Sequence, residues 1–248
     1  MVATAFLVAP MITHSVILPV YNERENLDPL IRELSAALTT RNAAFEIIAV
    51  DDSSTDGSWE KLRELAAVMP HLRIFRHRRN AGQSAALATG WRLARGGILI
   101  TMDADGQNDP ADLPELLDAL TGDVEAVCGI RMGRQDSAIR KLSSRIANRF
   151  RNAITGDTIQ DAGCTFRVIR ATALAEMPVF NGTHRFLPTL LRYQGYVVKE
   201  LPIRHRPRTW GASKYGIRNR FWRGLVDCFA MRWWKKRVIP GRRCADES

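Results

Sequence analysis

An apolar run, Ile98-Leu-Ile-Thr-Met102, passes directly into Asp103-Ala104-Asp105-Gly106-Gln107. Two carboxylates and an amide at this spacing form an oxygen-rich set suited to Mg²⁺ or Mn²⁺, which keep several waters and bridge to substrate phosphates. A turn whose Asp caps the helix after Pro110 is the purely structural account. A D-x-D pair alone is common; its place at the end of a hydrophobic run ties it to a site. Asp51-Asp52-Ser-Ser-Thr-Asp56-Gly57 ends a second run. Helix capping accounts for Thr55 or Asp56 but not for the charged pair, which can accept hydrogen bonds from ribose hydroxyls or a base edge. Pro19-Val-Tyr21-Asn22-Glu23 ends a third. Its Tyr21 suits packing on a nucleobase and its Glu23 hydrogen bonding to it; the alternative is a turn with a first-turn acid.

Strands must carry these residues to one place. Apolar runs at Val16–Val20, Phe45–Val50, Leu72–Phe75, Ile98–Met102 and Ala126–Gly129 alternate with helical periodicity at Asn26–Leu38, Ser58–Met69, Ala81–Arg95 and Asp112–Leu120. This alternation predicts an α/β fold with a mostly parallel, Rossmann-like sheet flanked by helices. Ligands of such sheets bind beyond the carboxyl ends of the strands, where all three acidic segments fall. The second half predicts a basic helix over Ile139–Ile154, a glycine-containing loop over Asp157–Arg167 leading into an extended segment, and helices over Ala171–Met177 and Phe186–Gln194. A strand over Val197–Ile203, a basic loop and a helix over Ile217–Lys236 follow.

Composition agrees with a folded enzyme-sized chain. Of 248 residues, 46% are hydrophobic and 25% charged, which excludes disorder, collagen-like structure and a disulfide scaffold. Cys128, Cys164, Cys228 and Cys244 form no C-x-x-C pair and read as reduced thiols. The net charge of +10 is divided unevenly: residues 1–130 hold 11 basic and 18 acidic side chains, the remainder 25 and 8. A polyanionic partner for the basic half follows, be it nucleic acid, membrane surface or phosphorylated substrate. No helix-turn-helix, RNP or zinc-finger spacing supports nucleic acid, so none is expected.

The ordered set Val16-Ile-Leu-Pro-Val-Tyr-Asn-Glu23, Val50-Asp-Asp-Ser-Ser-Thr-Asp-Gly57, Asn80-Ala-Gly82 and Met102-Asp-Ala-Asp-Gly-Gln107 resembles family 2 glycosyltransferases of the GT-A fold. Gly129-Ile-Arg131, Arg140 with Ser144, Asp161-Ala-Gly-Cys-Thr-Phe-Arg167 and Arg208-Thr-Trp-Gly-Ala-Ser-Lys214 are similar to the dolichol-phosphate mannosyltransferase branch, which includes bacterial polyprenyl-phosphate glycosyltransferases. The resemblance covers about residues 14–216 and implies inverting transfer of a hexose from a nucleotide-sugar donor to a polyprenyl phosphate, with Mg²⁺ or Mn²⁺. It implies Pro19, Tyr21, Glu23, Ala49 and Asp51 around the nucleoside. Met102, Asp103, Ala104 and Asp105 fall on the donor, the metal being held by Asp103, Asp105 and Gln107. It further implies Arg131, Arg140 and Ser144 on the acceptor phosphate, and Arg208 and Lys214 over the donor diphosphate. Asp105 and Arg131 thereby become catalytic candidates.

An ionised phosphate acceptor needs positioning more than deprotonation. No His or isolated Glu stands out as a base; Asp157 and Asp161 remain, and Asp161 reads equally well as a base or as a carboxylate ordering its loop. Cys164 reads as a small buried residue. From Arg204 to Arg237 there are 11 basic residues and one acid, Asp227, with Phe221, Trp222, Leu225, Val226, Phe229 and Trp233 at helical spacing. Such a helix can lie in a membrane interface or pack its aromatic face on the domain. The expected organisation is a leader over 1–13, a transferase domain over 14–216 and an amphipathic basic, aromatic helix and tail over 217–248. The expected location is peripheral, on the cytoplasmic face of a membrane, with a membrane-anchored partner subunit possible. The alternative readings are a family 2 enzyme acting on a lipid or glycan hydroxyl and, from a different class, a basic nucleic-acid-binding protein; a catalytically dead relative is disfavoured by the intact Asp103, Asp105 and Gln107.

Overall fold

Apolar runs flanked by helices on both sides bury both faces, so such strands are hydrophobic at consecutive positions rather than alternating. Val16, Ile17 and Leu18 in β1 (His14–Val20) and Ile47, Ile48 and Ala49 in β2 (Phe45–Asp51) are all fully buried. In the computed structural model, which describes residues 11–132, 148–175, 177–210 and 217–239 (side chains from 224 onward in the last stretch), these strands pair in parallel. β3 (Leu72–Arg76) lies beside β2, and β4 (Ile98–Thr101) lies on the other side of β1. The crossovers are α1 (Arg24–Thr39), α2 (Ser58–Val68) and α3 (Gln83–Leu93). Period-two alternation divides the core: Val16, Leu18 and Val20 pack with Leu27, Ile31 and Leu34 of α1, while Ile17 packs with Leu87 of α3 on the opposite face.

The second half completes a seven-stranded sheet of order β3-β2-β1-β4-β6-β5-β7. β5 (Val124–Arg131) and β7 (Val197–Ile203) are parallel, and β6 (Arg167–Arg170) runs antiparallel between β4 and β5. The extended segment expected after Asp157–Arg167 is thus a central strand. A 3₁₀ turn at Pro110–Asp112 opens α4 (Leu113–Asp118); α5 covers residues 148–155 and α6 covers Thr183–Tyr193. Two expectations are corrected. Ala171–Met177 is not an α-helix but a 3₁₀ turn at Ala171–Leu174, because the chain must drop from the end of β6 to the α6 loop. The helix expected from Ala81 starts at Gln83, because Gly82 takes φ +89°. The first part of the helix expected over Ile139–Ile154 lies outside the described residues.

The last helix, α7 (Ile217–Lys235), turns Cys228 and Met231 into the core beside α6, while Val226, Phe229 and Trp233 are 66%, 56% and 57% exposed. Asp227 pairs with Arg185 at 3.4 Å, and the Lys235 ammonium donates to the Gly156 carbonyl at 2.9 Å. Trp234 packs against the core beside Cys228 and Met231, whereas Phe229 and Trp233 face outward. No described helix is long and apolar enough to cross a membrane.

Candidate active site

The three acidic segments converge. Register places Val20 opposite Asp51 and Ile17 opposite Thr101, so the loops leaving β2, β1 and β4 stand side by side at the carboxyl edge. Between β1 and β4 the strand order reverses, which is where open α/β sheets bind ligands.

Asp103 and Asp105 begin the loop after β4. The Gln83 side-chain amide at the start of α3 donates to Asp103 at 2.6 Å. Burial, and then the neighbouring charge of Asp105, push the Asp103 carboxyl up to about 6, against smaller opposing effects of the Thr165 side chain, Arg131 and Arg167. Two carboxylates that repel each other, with the Gln107 amide two residues on, make a hard-oxygen set that a divalent cation would satisfy. Among the described residues no cluster of three or more His, Cys, Asp or Glu side chains could hold a metal.

A basic strap crosses this loop. Arg204 donates to Asp112 at 2.7 Å through Nε, and Arg206 to Asp109 and Glu33 at 2.7 Å. Asn108 bridges to His205, and the Arg206 N–H donates to the Gln107 carbonyl at 2.8 Å. Arg208 Nη2 donates to Asp105 Oδ2 at 2.6 Å. Extended geometry sends alternate side chains to one side, so three arginines two apart reach acids of one loop. Lys214 lies outside the described residues.

The nucleoside candidates separate into lining and support. Tyr21 and Pro19 are half-buried at the end of β1. Glu23 is nearly buried and accepts from the Asn26 amide at 2.8 Å. Asp51 is enclosed: the Ser54 N–H lies at 3.3 Å and the Arg76 guanidinium at 3.1 Å. Ala49, Met102 and Ala104 are buried in the core beneath the edge. Asp52 is structural, accepting from the N–H groups of Ala81 and Gly82 at 2.8 and 2.7 Å and from His77 at 2.7 Å. Asp56 serves both flanking helices, accepting from Ser58 N–H at 2.9 Å and Arg24 N–H at 3.2 Å.

At the end of β5, Arg131 forms a two-pronged pair with Asp161, Nε to Oδ2 and Nη2 to Oδ1, both 2.8 Å. Fork-to-fork pairs of this kind fix orientation as well as charge. Both oxygens of Asp161 are engaged, which fits a holder of Arg131 better than a base. Asp157 accepts from Thr189 and from Arg192 at 2.9 Å, tying its loop to α6. Cys164 is buried, and burial pushes its thiol up to about 12, as for an inert packing residue. Arg140 and Ser144 lie outside the described residues.

Two site residues were not legible from spacing. Gln83 follows the Asn80-Ala-Gly82 motif, but only the α3–β4 juxtaposition brings it to Asp103. Arg167 on β6 is fully buried, with Nε and Nη1 unpaired, and its charge acts on Asp103.

The sheet with its switch-point acid pair is the GT-A nucleotide-sugar fold. A mannosyltransferase from Pyrobaculum calidifontis, solved with GDP-Man and Mn²⁺, superposes with TM-score 0.65 at 22% identity, covering 88% of this chain and 63% of that one. Glucosyl-3-phosphoglycerate synthase from Mycobacterium tuberculosis, solved with Mn²⁺, UDP and phosphoglyceric acid, gives 0.65 at 18% identity, covering 92% and 80%. The profile of glycosyl transferase family 2 matches residues 15–177, and the chain belongs to that family. It is 37% identical over 205 residues to the undecaprenyl-phosphate 4-deoxy-4-formamido-L-arabinose transferase of Edwardsiella ictaluri, covering 82% of this chain and 63% of that protein. It is 33% identical over 235 residues to the dodecaprenyl-phosphate galacturonate synthase of Rhizobium johnstonii, covering 92% and 69%. The chain thus spans just under two thirds of the first of these relatives.

Proposed function

We propose that this chain is an inverting, metal-dependent glycosyltransferase that moves a sugar from a nucleotide donor to a polyprenyl phosphate at the cytoplasmic face of a membrane. One observation carries the reading: Arg131, at the end of β5, is gripped at two points by Asp161, in the same sheet whose switch point carries the Asp103–Asp105 pair. On this reading Arg131 supplies a cation for the incoming phosphate and the acid pair supplies oxygens for a metal-bound diphosphate.

Asp103, Asp105 and Gln107 are the residues that would hold Mg²⁺ or Mn²⁺. When bound, such an ion neutralises charge on the departing nucleoside diphosphate. Arg208 and Lys214 supply cations to the same leaving group, and Arg131, Arg140 and Ser144 receive the acceptor phosphate. Pro19, Tyr21, Glu23 and Asp51 orient the nucleoside, with Ala49, Met102 and Ala104 behind them. An ionised phosphate attacks without surrendering a proton, consistent with the engagement of both Asp157 and Asp161. The polyprenyl phosphates named in the two relatives support this acceptor class.

Membrane contact is assigned to residues 217–248, appended to the transferase unit of 14–216. The outward Val226, Phe229 and Trp233 of α7 stand among exposed Arg232, Lys236 and Arg237, the last lying 5.1 Å over the Trp233 ring. Aromatic side chains at the headgroup level with basic neighbours suit an anionic leaflet. A thermal-shift panel of nucleotide sugars with and without Mn²⁺ tests the donor assignment: one nucleotide sugar should raise the melting temperature only with the metal, and no shift with any of them would contradict it.

A further inference from the structure

We propose that Gly163 and Glu200 are positioning residues for the transfer site, setting the Arg131 guanidinium from below and behind. The inference rests on the reading of Arg131 as the acceptor-phosphate cation. A Cβ on Gly163 would lie 2.8 Å from Arg131 Nη2 and 3.5 Å from Asp161 Oδ1. Real Cβ atoms essentially never come within 3 Å of a non-neighbouring heavy atom, so a side chain at 163 makes the Nη2 end of the Arg131 guanidinium shift, while the Asp161 oxygen at 3.5 Å is in ordinary contact. The Gly163 backbone lies outside the left-handed region, so conformation does not demand glycine here. Space for Arg131 does.

Glu200 supports the same arrangement from the sheet. It lies on β7, opposite Cys128 of β5, three residues before the Arg131 row. Its carboxylate accepts from the Gln160 N–H at 2.9 Å and the Asp161 N–H at 3.3 Å. These bonds pin the backbone that presents Asp161. Asp161 in turn accepts from the Arg131 backbone N–H at 3.3 Å and from Nε and Nη2 at 2.8 Å. The order of support runs Glu200, loop 160–163, Asp161, Arg131. Asp161 takes Nε–H and one Nη2–H, leaving the other Nη2–H and the Nη1 amino group as donors for an incoming oxyanion. A guanidinium held this way presents one edge in a fixed direction, and misplacement by about 1 Å can cost on the order of a hundredfold in rate.

The test compares Gly163→Ala, Glu200→Ala and Glu200→Gln with the unaltered chain by steady-state transfer to undecaprenyl phosphate, nucleotide-sugar affinity, and the ¹H–¹⁵N NMR resonance of the Arg131 Nε–H. Gly163→Ala should lower kcat/KM for the polyprenyl phosphate by about ten- to a hundredfold and move the Nε–H resonance, with nucleotide-sugar affinity unchanged. Glu200→Ala should act in the same direction. Glu200→Gln, whose amide oxygen can still accept both N–H groups, should recover most of the loss. Wild-type kcat/KM in Gly163→Ala, or an unmoved Nε–H resonance, would overturn the proposal. If Gly163→Ala does not fold, equal activity of Glu200→Ala and wild type, or no recovery in Glu200→Gln, overturns it. If the unaltered chain transfers nothing to undecaprenyl phosphate, the acceptor reading fails; the resonance still decides whether Gly163 and Glu200 hold Arg131.

Discussion

Arg208 Nη2 sits 2.6 Å from Asp105 Oδ2, joining a residue assigned to the donor diphosphate with one assigned to the metal. Neither side chain is far from solvent, with exposures of 26% and 14%. On the proposed reading the guanidinium sits on the carboxylate that a divalent ion would use, so Arg208 and the ion would compete for Asp105 until a bound diphosphate draws Arg208 away. Arg208→Ala should therefore bind Mn²⁺ about two- to tenfold more tightly in the absence of nucleotide, the scale of one partly exposed charged hydrogen bond. It should nonetheless transfer sugar poorly. Electron paramagnetic resonance of free Mn²⁺ reads the first effect; unchanged or weaker binding would show that Arg208 does not compete for Asp105.

Asp103 should cost the metal-free protein stability at neutral pH. Its carboxyl is held near 6, against an ordinary value of 3.8, by burial and by Asp105. The folded state thus takes up a proton before the unfolded state does as pH falls, and stability from this group rises as pH drops from 7 through 6. Asp103→Asn should melt at or above the wild-type temperature at pH 7 and lose that pH response, while losing roughly a hundredfold or more in transfer. Melting curves in a chelator between pH 7 and 5 check the sign.

Glu46 works in the opposite direction. It is buried at the start of β2, where burial alone raises its carboxyl. Bonds from Arg73 at 2.6 Å, Ser15 at 2.7 Å and the Arg95 N–H at 2.7 Å outweigh burial and hold it below its ordinary 4.5. The unfolded chain then takes up the proton first, so this stabilisation is complete above the unfolded-state value and is lost as pH falls through the folded-state one. Glu46→Gln should cost about 1–3 kcal/mol at pH 7, because Arg73 loses its charged partner while keeping its bond to the Leu93 carbonyl. The gap between the two melting temperatures should narrow towards pH 3.

Membrane contact through α7 predicts a separable phenotype. Phe229→Ser with Trp233→Ser removes exposed rings while leaving the inward Cys228 and Met231 in place. Co-sedimentation with anionic vesicles should fall by about tenfold, with melting temperature unchanged. Equal sedimentation would contradict the assignment of membrane contact to α7.

The first half of the fold was readable because buried parallel strands are near-continuous apolar runs, and each acidic cluster sits where such a run stops. That rule located Glu23, Asp51, Asp103 and Asp105 at one edge. For β6 it gave an extended segment but not its central place in the sheet, because the strand begins and ends in arginine and Arg167 is buried by long-range packing that no periodicity reveals. It also could not distinguish Asp52, which organises residues 77–82, from Asp51 beside it. Gln83 and Gly163 matter through what approaches them across the fold, and composition carries no trace of such approach.

The central claim is transfer to a lipid phosphate. The most direct measurement incubates the purified chain with undecaprenyl phosphate in detergent, Mn²⁺ and radiolabelled nucleotide sugars, then counts label extracted with the lipid. The account predicts metal-dependent label in a polyprenyl-phosphate sugar for one donor, lost in Asp105→Ala and Arg131→Ala. Label appearing only on hydroxyl-bearing lipids or glycans, with none on any polyprenyl phosphate, would contradict it.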